Sequence, residues 1–241
     1  MIVQVAKGAT AANLWMNALP ENARAALLDA ATPVEVEIRQ TVHEAGEASP
    51  CIYFPVTAVF SMVISMSDGK TVEANMVGRE GFVPVTTGAL LYSETVKTIV
   101  QIGGEALCVD AKAFASLVKK HETIGALRER YLAAVYDVMM QSVGCNAVHS
   151  VRERCARWLL ALSDRTDSHD INVIHQVLAE TLGASRPRVT EILATLQNDG
   201  LLELQRATLR ILDVEGLRGA ACECYAIIKD LLVNFPARKM L

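Results

Sequence analysis

Residues 175–194, HQVLAETLGASRPRVTEILA, decide the reading of this chain, because two short helical patterns meet there across a single glycine. Leu178 and Leu182 repeat at four residues, Val189 and Ile192 at three, and each pair marks the inner stripe of one short helix. Ala179 is small where the helices would cross, and Gly183 supplies the backbone freedom needed to leave the first helix and turn sharply. Ser185 is placed to cap the second helix, its hydroxyl accepting an amide hydrogen of the first turn, while Pro187 in that turn needs no amide partner. Ser185, Arg186, Arg188, Thr190 and Glu191 are left outward. Such side chains hydrogen-bond phosphates or base edges, and they stand on the N-terminal half of a helix of the width a major groove admits.

An αα-hairpin inside a helical core has the same short spacings, so the residues that follow matter. Leu201, Leu202 and Leu204 make a short strand, Arg206-Ala207 a turn, and Leu209, Ile211 and Leu212 a returning strand. A two-stranded wing after a recognition helix makes a winged helix-turn-helix. With SVRERCARWLLALSDR (150–165) ahead of it, Trp158 as an anchor, and the Asp68-Gly69-Lys70 hairpin discussed below, the chain resembles the Crp/Fnr family of bacterial transcription regulators. The resemblance is stronger in the DNA-binding half than in the sensor half.

At 241 residues there is room for two domains and a long connector. No run of eighteen uncharged apolar residues occurs, and the first residues lack the basic start and cleavage site of a signal peptide, so a cytoplasmic protein with no membrane partner is expected. A formal net charge of −4 argues against a protein that coats nucleic acid non-specifically. Between 151 and 218 nine arginines stand against ten acidic residues, so affinity must come from placement. Arg186, Arg188, Arg206 and Arg210 fall on the recognition helix and the wing.

Before the DNA-binding half, residues 20–31 read as a short helix and Val34 to Ile38 as an alternating strand. IYFPVTAVFSMVISM, then Asp68-Gly69, then Lys70 to Met76 read as a hairpin, since Asp-Gly between alternating runs is a strong turn signal. Strands at Thr95 to Ile102 and Ala106 to Val109 would close a small antiparallel barrel. The resemblance implies a jelly-roll sensor of the cyclic-nucleotide-binding type for this part. The expected class is therefore α+β: an N-terminal β-barrel with its helix over 1–120, a long dimerisation helix over 121–149, a winged helix-turn-helix over 150–225 and a tail over 226–241. After the wing, LRGAACECYAIIKDLL (217–232) reads as a terminal helix and NFPARKML (234–241) as a frayed end.

Residues 122–148 carry the longest helical pattern. Ile124, Leu127, Tyr131, Ala134, Val138, Gln141, Cys145 and Val148 follow alternating three- and four-residue steps, as a coiled-coil seam does. Leu132, Val135 and Met139 form a second stripe that would pack back on the barrel. Burial inside one chain is the alternative to a homodimer here, and the two-sided pattern with the family resemblance favours the dimer.

The resemblance also implies where an effector would sit. Cyclic-AMP-binding members hold the ligand with a Gly-Glu pair and a later arginine. Here Val83-Pro84-Val85 and Thr95-Val96 stand at those places, and Met139 and Met140 stand where a polar pair would meet adenine. Pro84 offers no amide hydrogen, Val85 offers no acceptor, and a buried cyclic phosphate without its arginine lacks the pair that offsets its desolvation. Val83, Pro84, Val85, Thr95, Met139 and Met140 are the candidate effector pocket, with ordinary cyclic AMP disfavoured and an apolar effector, another small molecule or none left open. No cofactor is expected. The iron-sulfur cluster of some members needs cysteines close together near the N-terminus, and the first here is Cys51.

Cys51, Cys108, Cys145, Cys155, Cys222 and Cys224 read as reduced, mostly buried thiols, with Cys222-Glu-Cys224 the one close pair and no second pair or histidine beside it. His43, His121, His149, His169 and His175 are dispersed, so no metal site is expected. G-x-S-x-G, P-loop, G-x-G-x-x-G and H-E-x-x-H patterns are all lacking, which leaves an enzyme as the weak alternative and a dimeric scaffold as the other. The resemblance assigns base reading to Arg186 and implies double-stranded DNA, a second copy of the chain and RNA polymerase as partners. The family's glutamate and second arginine are replaced by Pro187 and Glu191, so the operator should differ from the usual one, with Glu191 free to accept from cytosine.

Overall fold

The computed structural model describes residues 13–67, 71–85, 96–172, 174–205 and 208–237. Helices α1 (Leu14–Asn17) and α2 (Glu21–Asp29) come first, followed by strands β1 (Ala31–Val36), β2 (Thr41–His43), β3 (Cys51–Pro55), β4 (Val59–Ser65), β5 (Thr71–Val77), β6 (Lys97–Ile102) and β7 (Gly104–Asp110). Next are α3 (Ala111–Lys120), α4 (Glu122–Val148), α5 (Val151–Thr166), β8 (Asp170–Ile171), α6 (His175–Leu182), α7 (Arg186–Asn198), β9 (Leu202–Leu204) and β10 (Leu209–Ile211). Helices α8 (Val214–Ala220) and α9 (Cys224–Asn234) precede a 3-10 turn at Phe235–Ala237. No described helix is long and apolar enough to cross a membrane.

The chain forms two compact units, one from the segments up to 62, 76–136 and from 232 onward, the other from 63–75 and 137–231. The strands of the first part make two antiparallel jelly-roll sheets, in orders β1-β7-β3 and β2-β6-β4-β5, where a closed barrel was expected. The run IYFPVTAVFSMVISM is divided between them. Its strand breaks after Pro55, and the amides of Val56, Thr57 and Ala58 all donate to the Glu105 carbonyl at 3.0, 3.1 and 3.2 Å, which turns the chain from one sheet into the other. β1 lies earlier than the alternation of 34–38 suggests. The Gln40 amide closes a turn on the Glu37 carbonyl at 3.0 Å and Arg39 takes a left-handed φ of 69°, so Ile38 ends exposed. The Asp68-Gly69-Lys70 turn lies outside the described residues.

The core of this unit is aromatic. Trp15 meets Phe82 edge-on at 5.1 Å between ring centroids, Phe82 meets Tyr131 at 4.9 Å, and Tyr131 meets Phe235 at 5.5 Å. Two of these contributors escaped the sequence reading. Trp15 arrives on α1, whose cap Asn13 is fully buried and donates to the carbonyls of Pro55 and Gly81 at 2.9 and 3.0 Å. Phe235 belongs to the segment expected to fray; instead it is 2 % exposed, and Arg130 Nη1 donates to the Pro236 carbonyl at 2.9 Å. The expected single terminal helix is two, α8 and α9, parted at Ala221 to Glu223.

Helix α4 spans the predicted residues, but most of the stripe read as a seam is an inner face, as is Val135 of the second stripe. Ile124, Leu127, Tyr131, Ala134, Val138 and Cys145 are buried within one chain, which corrects their assignment to a dimer seam. Packing of Tyr131 against Phe82 explains the first half of that stripe. What remains uncovered is Ala133, Tyr136, Met140, Val143 and Ala147, again at three- and four-residue steps; Tyr136 and Val143 are each 63 % exposed.

Candidate DNA-binding surface

Helix α5 opens the DNA-binding part with a capping box: Ser150 Oγ accepts from the Glu153 amide, and the Glu153 carboxylate accepts from the Ser150 amide at 2.8 Å. That reciprocal pair holds the Glu153 carboxyl below its ordinary range. Trp158, Leu159, Leu160 and Leu162 are buried, which fixes α5 as the floor under α6 and α7. Arg154 reaches up to donate to the Leu182 carbonyl at 3.0 Å, satisfying the end of α6.

The turn between α6 and α7 forms as its residues require. Gly183 has φ of 61°, its amide donates to Glu180 at 3.2 Å and that of Ala184 to Ala179 at 2.9 Å, which is a Schellman ending. Ser185 then caps α7 by accepting from the Arg188 amide at 3.4 Å. Leu178, Ala179, Leu182, Val189 and Ile192 are all buried, joined by Leu193 and Leu196. Ser185, Arg186, Arg188, Thr190 and Glu191 are all exposed on the opposite face.

These five differ in how they are held. Arg186 has no side-chain partner among the described residues, so its guanidinium is free to take one from outside. Arg188 is paired with Glu191 at 2.8 Å, an exposed pair on the outward face of α7. Thr190 Oγ1 donates to the Arg186 carbonyl at 3.0 Å and lies 3.1 Å from His175 Nδ1, an α6 to α7 link not foreseen from sequence. Gln197 Oε1 accepts from the Leu204 amide at 2.8 Å and ties α7 to the wing.

The wing is a three-stranded sheet, β8-β10-β9. Asp170, expected in a polar loop, instead lies in β8 beside β10. Arg210 has a partner within the wing: it grips Asp170 at 2.6 and 3.1 Å, which lowers the aspartate pKa and raises that of the arginine. Arg206 lies outside the described residues.

Of the candidate effector residues, Val83, Pro84 and Val85 are buried in the β unit. Val83 exchanges both backbone hydrogen bonds with Tyr53, at 2.7 and 2.9 Å, so neither its amide nor its carbonyl is available to a ligand. Met139 is half-buried and Met140 is 52 % exposed on the second unit's part of α4. Thr95 lies outside the described residues.

The cysteines bring a correction. Cys155 is sealed, its thiol pushed up to about 12 by burial, and it is unreactive. Cys222 and Cys224 do have a histidine nearby: with Cys145 and His149 they place one ligating atom each within 4.8 Å of all the others. Cys145 and His149 are four residues apart at the end of α4. That C-x3-H spacing, read with C-x-C, is the signal the sequence held.

Residues 153–220 match the family model of the Crp-like helix-turn-helix domain. That stretch of the chain is a Crp-like helix-turn-helix domain. The chain's fold recurs in a Crp/Fnr-family transcriptional regulator from Eubacterium rectale, at 16 % identity and TM-score 0.63 over 86 % of this chain and 96 % of that one. It recurs also in the c-di-GMP-responsive global regulator CLP of Xanthomonas campestris, at 19 % identity and TM-score 0.64 over 80 % and 99 % of the two chains. A CRP-family regulator from Thermus thermophilus gives 19 % identity and TM-score 0.65 over 79 % and 99 %. No curated protein matches significantly in sequence.

Proposed function

We propose that this Crp/Fnr-type chain is a sequence-specific transcription regulator of the cytoplasm that reads a near-palindromic operator as a homodimer and acts with RNA polymerase. The observation that carries the reading is Arg186: exposed on the first turn of the recognition helix, clear of any described partner, and flanked by a second arginine already balanced by Glu191. A free guanidinium at that place suits bidentate pairing with guanine. Arg188, Ser185 and Thr190 suit phosphates, and Glu191 keeps Arg188 extended along the helix.

The uncovered α4 stripe supports the dimer. Tyr136, Met140 and Val143 leave apolar surface on one line of a helix whose other faces are satisfied, and a second α4 crossing there would cover it. Two recognition helices would then enter major grooves about one helical turn, ~34 Å, apart. Ordinary cyclic AMP is not the effector in this reading, because Val83 has spent its backbone groups and Pro84 and Val85 supply none for a phosphate. An apolar ligand or control by abundance fits better.

Selection of bound fragments from sheared genomic DNA by the purified protein, followed by footprinting, tests this. A protected, near-symmetric site supports the regulator. Binding without sequence preference would leave a dimeric scaffold. Titration with cyclic AMP in a calorimeter tests the effector argument, and a saturable heat at one site per chain would overturn it.

A further inference from the structure

We propose that Cys145, His149, Cys222 and Cys224 are a closed, four-ligand site for one thiophilic divalent ion of the zinc class. Cys145 Sγ lies 3.6 Å from Cys222 Sγ, and Cys224 Sγ lies 3.6 Å from His149 Nδ1. A zinc ion with bonds of ~2.3 Å to sulfur and ~2.0 Å to nitrogen sets tetrahedral edges of about 3.8 Å for S to S and about 3.5 Å for S to N. Both measured edges therefore already stand near those of an occupied tetrahedron. The others, none above 4.8 Å, close by rotation of the thiol side chains.

The surroundings are built as a ligand shell rather than as a chance gathering. Cys145, Cys222 and Cys224 are 0 %, 4 % and 1 % exposed, so three thiols share one nearly dry space. With Nδ1 turned to the thiols, His149 presents Nε2 to the Glu223 carboxylate at 3.1 Å, the carboxylate–histidine arrangement that fixes the ring and its tautomer for a metal. Gln141 Nε2 donates to Cys224 Sγ at 3.1 Å, a bond that favours thiolate. The four ligands come from two places only, the end of α4 with the residue after it, and the link between α8 and α9 with the first residue of α9. Cys145 and His149 share one helix face because they are four residues apart, and the His149 amide still donates to the Cys145 carbonyl at 3.1 Å.

Three cysteines and a histidine select zinc among common ions, and four protein ligands leave no open position, so the site is structural or regulatory rather than catalytic. An iron-sulfur cluster fits less well, since its several irons hold their thiolates farther apart than a single ion does. On binding, three thiols release three protons and the imidazole stays neutral, leaving the ion and its ligands with one net negative charge. Occupancy would staple the end of α4 to the α8–α9 link, immediately before Ser150 starts the DNA-binding helices.

The test uses the full-length protein, reduced, stripped with chelator and titrated anaerobically with cobalt(II). One equivalent per chain, the intense visible bands of tetrahedral thiolate-bound cobalt, and their loss on adding one equivalent of zinc are expected. Cys222→Ser should abolish those bands and Cys51→Ser should keep them. Glu223→Gln should weaken binding ~10–100-fold as a residue that positions His149. Reduced wild-type protein that takes up no cobalt, or gives the pale spectrum of an oxygen-ligated ion, would overturn the site whatever the variants do. So would a Cys145–Cys222 disulfide recovered from cells in protein that binds no metal after reduction. None of these readouts depends on DNA binding.

Discussion

Replacing Arg186 by alanine separates base reading from general attraction to DNA. In the free protein Arg186 is exposed and makes no described side-chain contact, so Arg186→Ala removes nothing from the fold and the melting temperature should not move. On DNA the loss is one bidentate guanine contact, ~1–3 kcal/mol per recognition helix. A symmetric dimer loses it twice at distant, additive sites, about 2–6 kcal/mol in all. At roughly 1.4 kcal/mol per tenfold, the operator affinity falls about 30-fold at the low end and more than 10,000-fold at the high end. Fluorescence anisotropy at one fixed salt concentration reads the affinity, and a panel of operators with each base pair changed in turn reads the selectivity. Preference should vanish at one position in each half-site and persist elsewhere. Arg188→Ala is the comparison. It breaks an exposed pair with Glu191 worth little to stability and should weaken all sequences alike, with the salt slope reduced by about one per lost phosphate contact. If Arg186→Ala instead weakens every operator equally and leaves the base preferences intact, the assignment of base reading to this side chain is refuted.

Val143→Glu places a charge in the proposed α4 seam twice per dimer. Sedimentation should then find monomer at concentrations where wild type is dimeric; an unchanged dimer would put the interface elsewhere. At Gly81 an added Cβ would collide with the Tyr131 ring, which Phe82 and Phe235 hold in place, so Gly81→Ala should destabilise the β unit by ~1–3 kcal/mol in urea unfolding. Ser150→Ala removes the α5 cap and should cost ~1 kcal/mol, read the same way; no change would mean that Glu153 alone suffices. Asp170 has a folded pKa below its ordinary value because of Arg210, so its pair with that arginine contributes fully above the ordinary aspartate pKa, about 3.9, and is lost as pH falls through the lower folded value. The stability difference between wild type and Asp170→Asn should therefore shrink on acidification below pH ~4, and a difference that grew would contradict the pairing.

Most of what could be read from sequence was local. Gly183, Ser185 and the Leu178/Leu182 and Val189/Ile192 stripes determine a turn and two helices within twenty residues, and each formed where its chemistry put it. The sheet reading was right about strand existence and weaker about continuity, because Glu105 decides where β3 ends and sits fifty residues from Pro55. The partner of Arg210 was hidden for the same reason. Nothing adjacent to it announces Asp170, which arrives forty residues earlier in the chain. Trp15 and Phe235 come from opposite ends of the chain and join one aromatic core, a closure that no window of sequence contains.

The long helix shows why periodicity alone misassigned a partner. Helix α4 carries two apolar stripes with the same three- and four-residue steps, and the period says that both are covered without saying by what. Volume decides. Tyr131 is a large side chain on the stripe first assigned to the dimer, and the close approach it needs is supplied by a glycine, Gly81, in the same chain. The stripe of Tyr136, Met140 and Val143 meets no such complement. Cys145 sits on the inner stripe by the same period, and its neighbours include Cys222, with Cys224 and His149 beside them. At the end of α4 the inner face thus changes from an aromatic core to a cluster of metal-binding atoms within two helical turns of Val138. With an ion bound as proposed, the segment that leads into the DNA-reading domain would be held by coordination as well as by packed apolar volume. That is why removing one ligand there should disturb α5 and the heads it carries more than trimming an ordinary core methylene would.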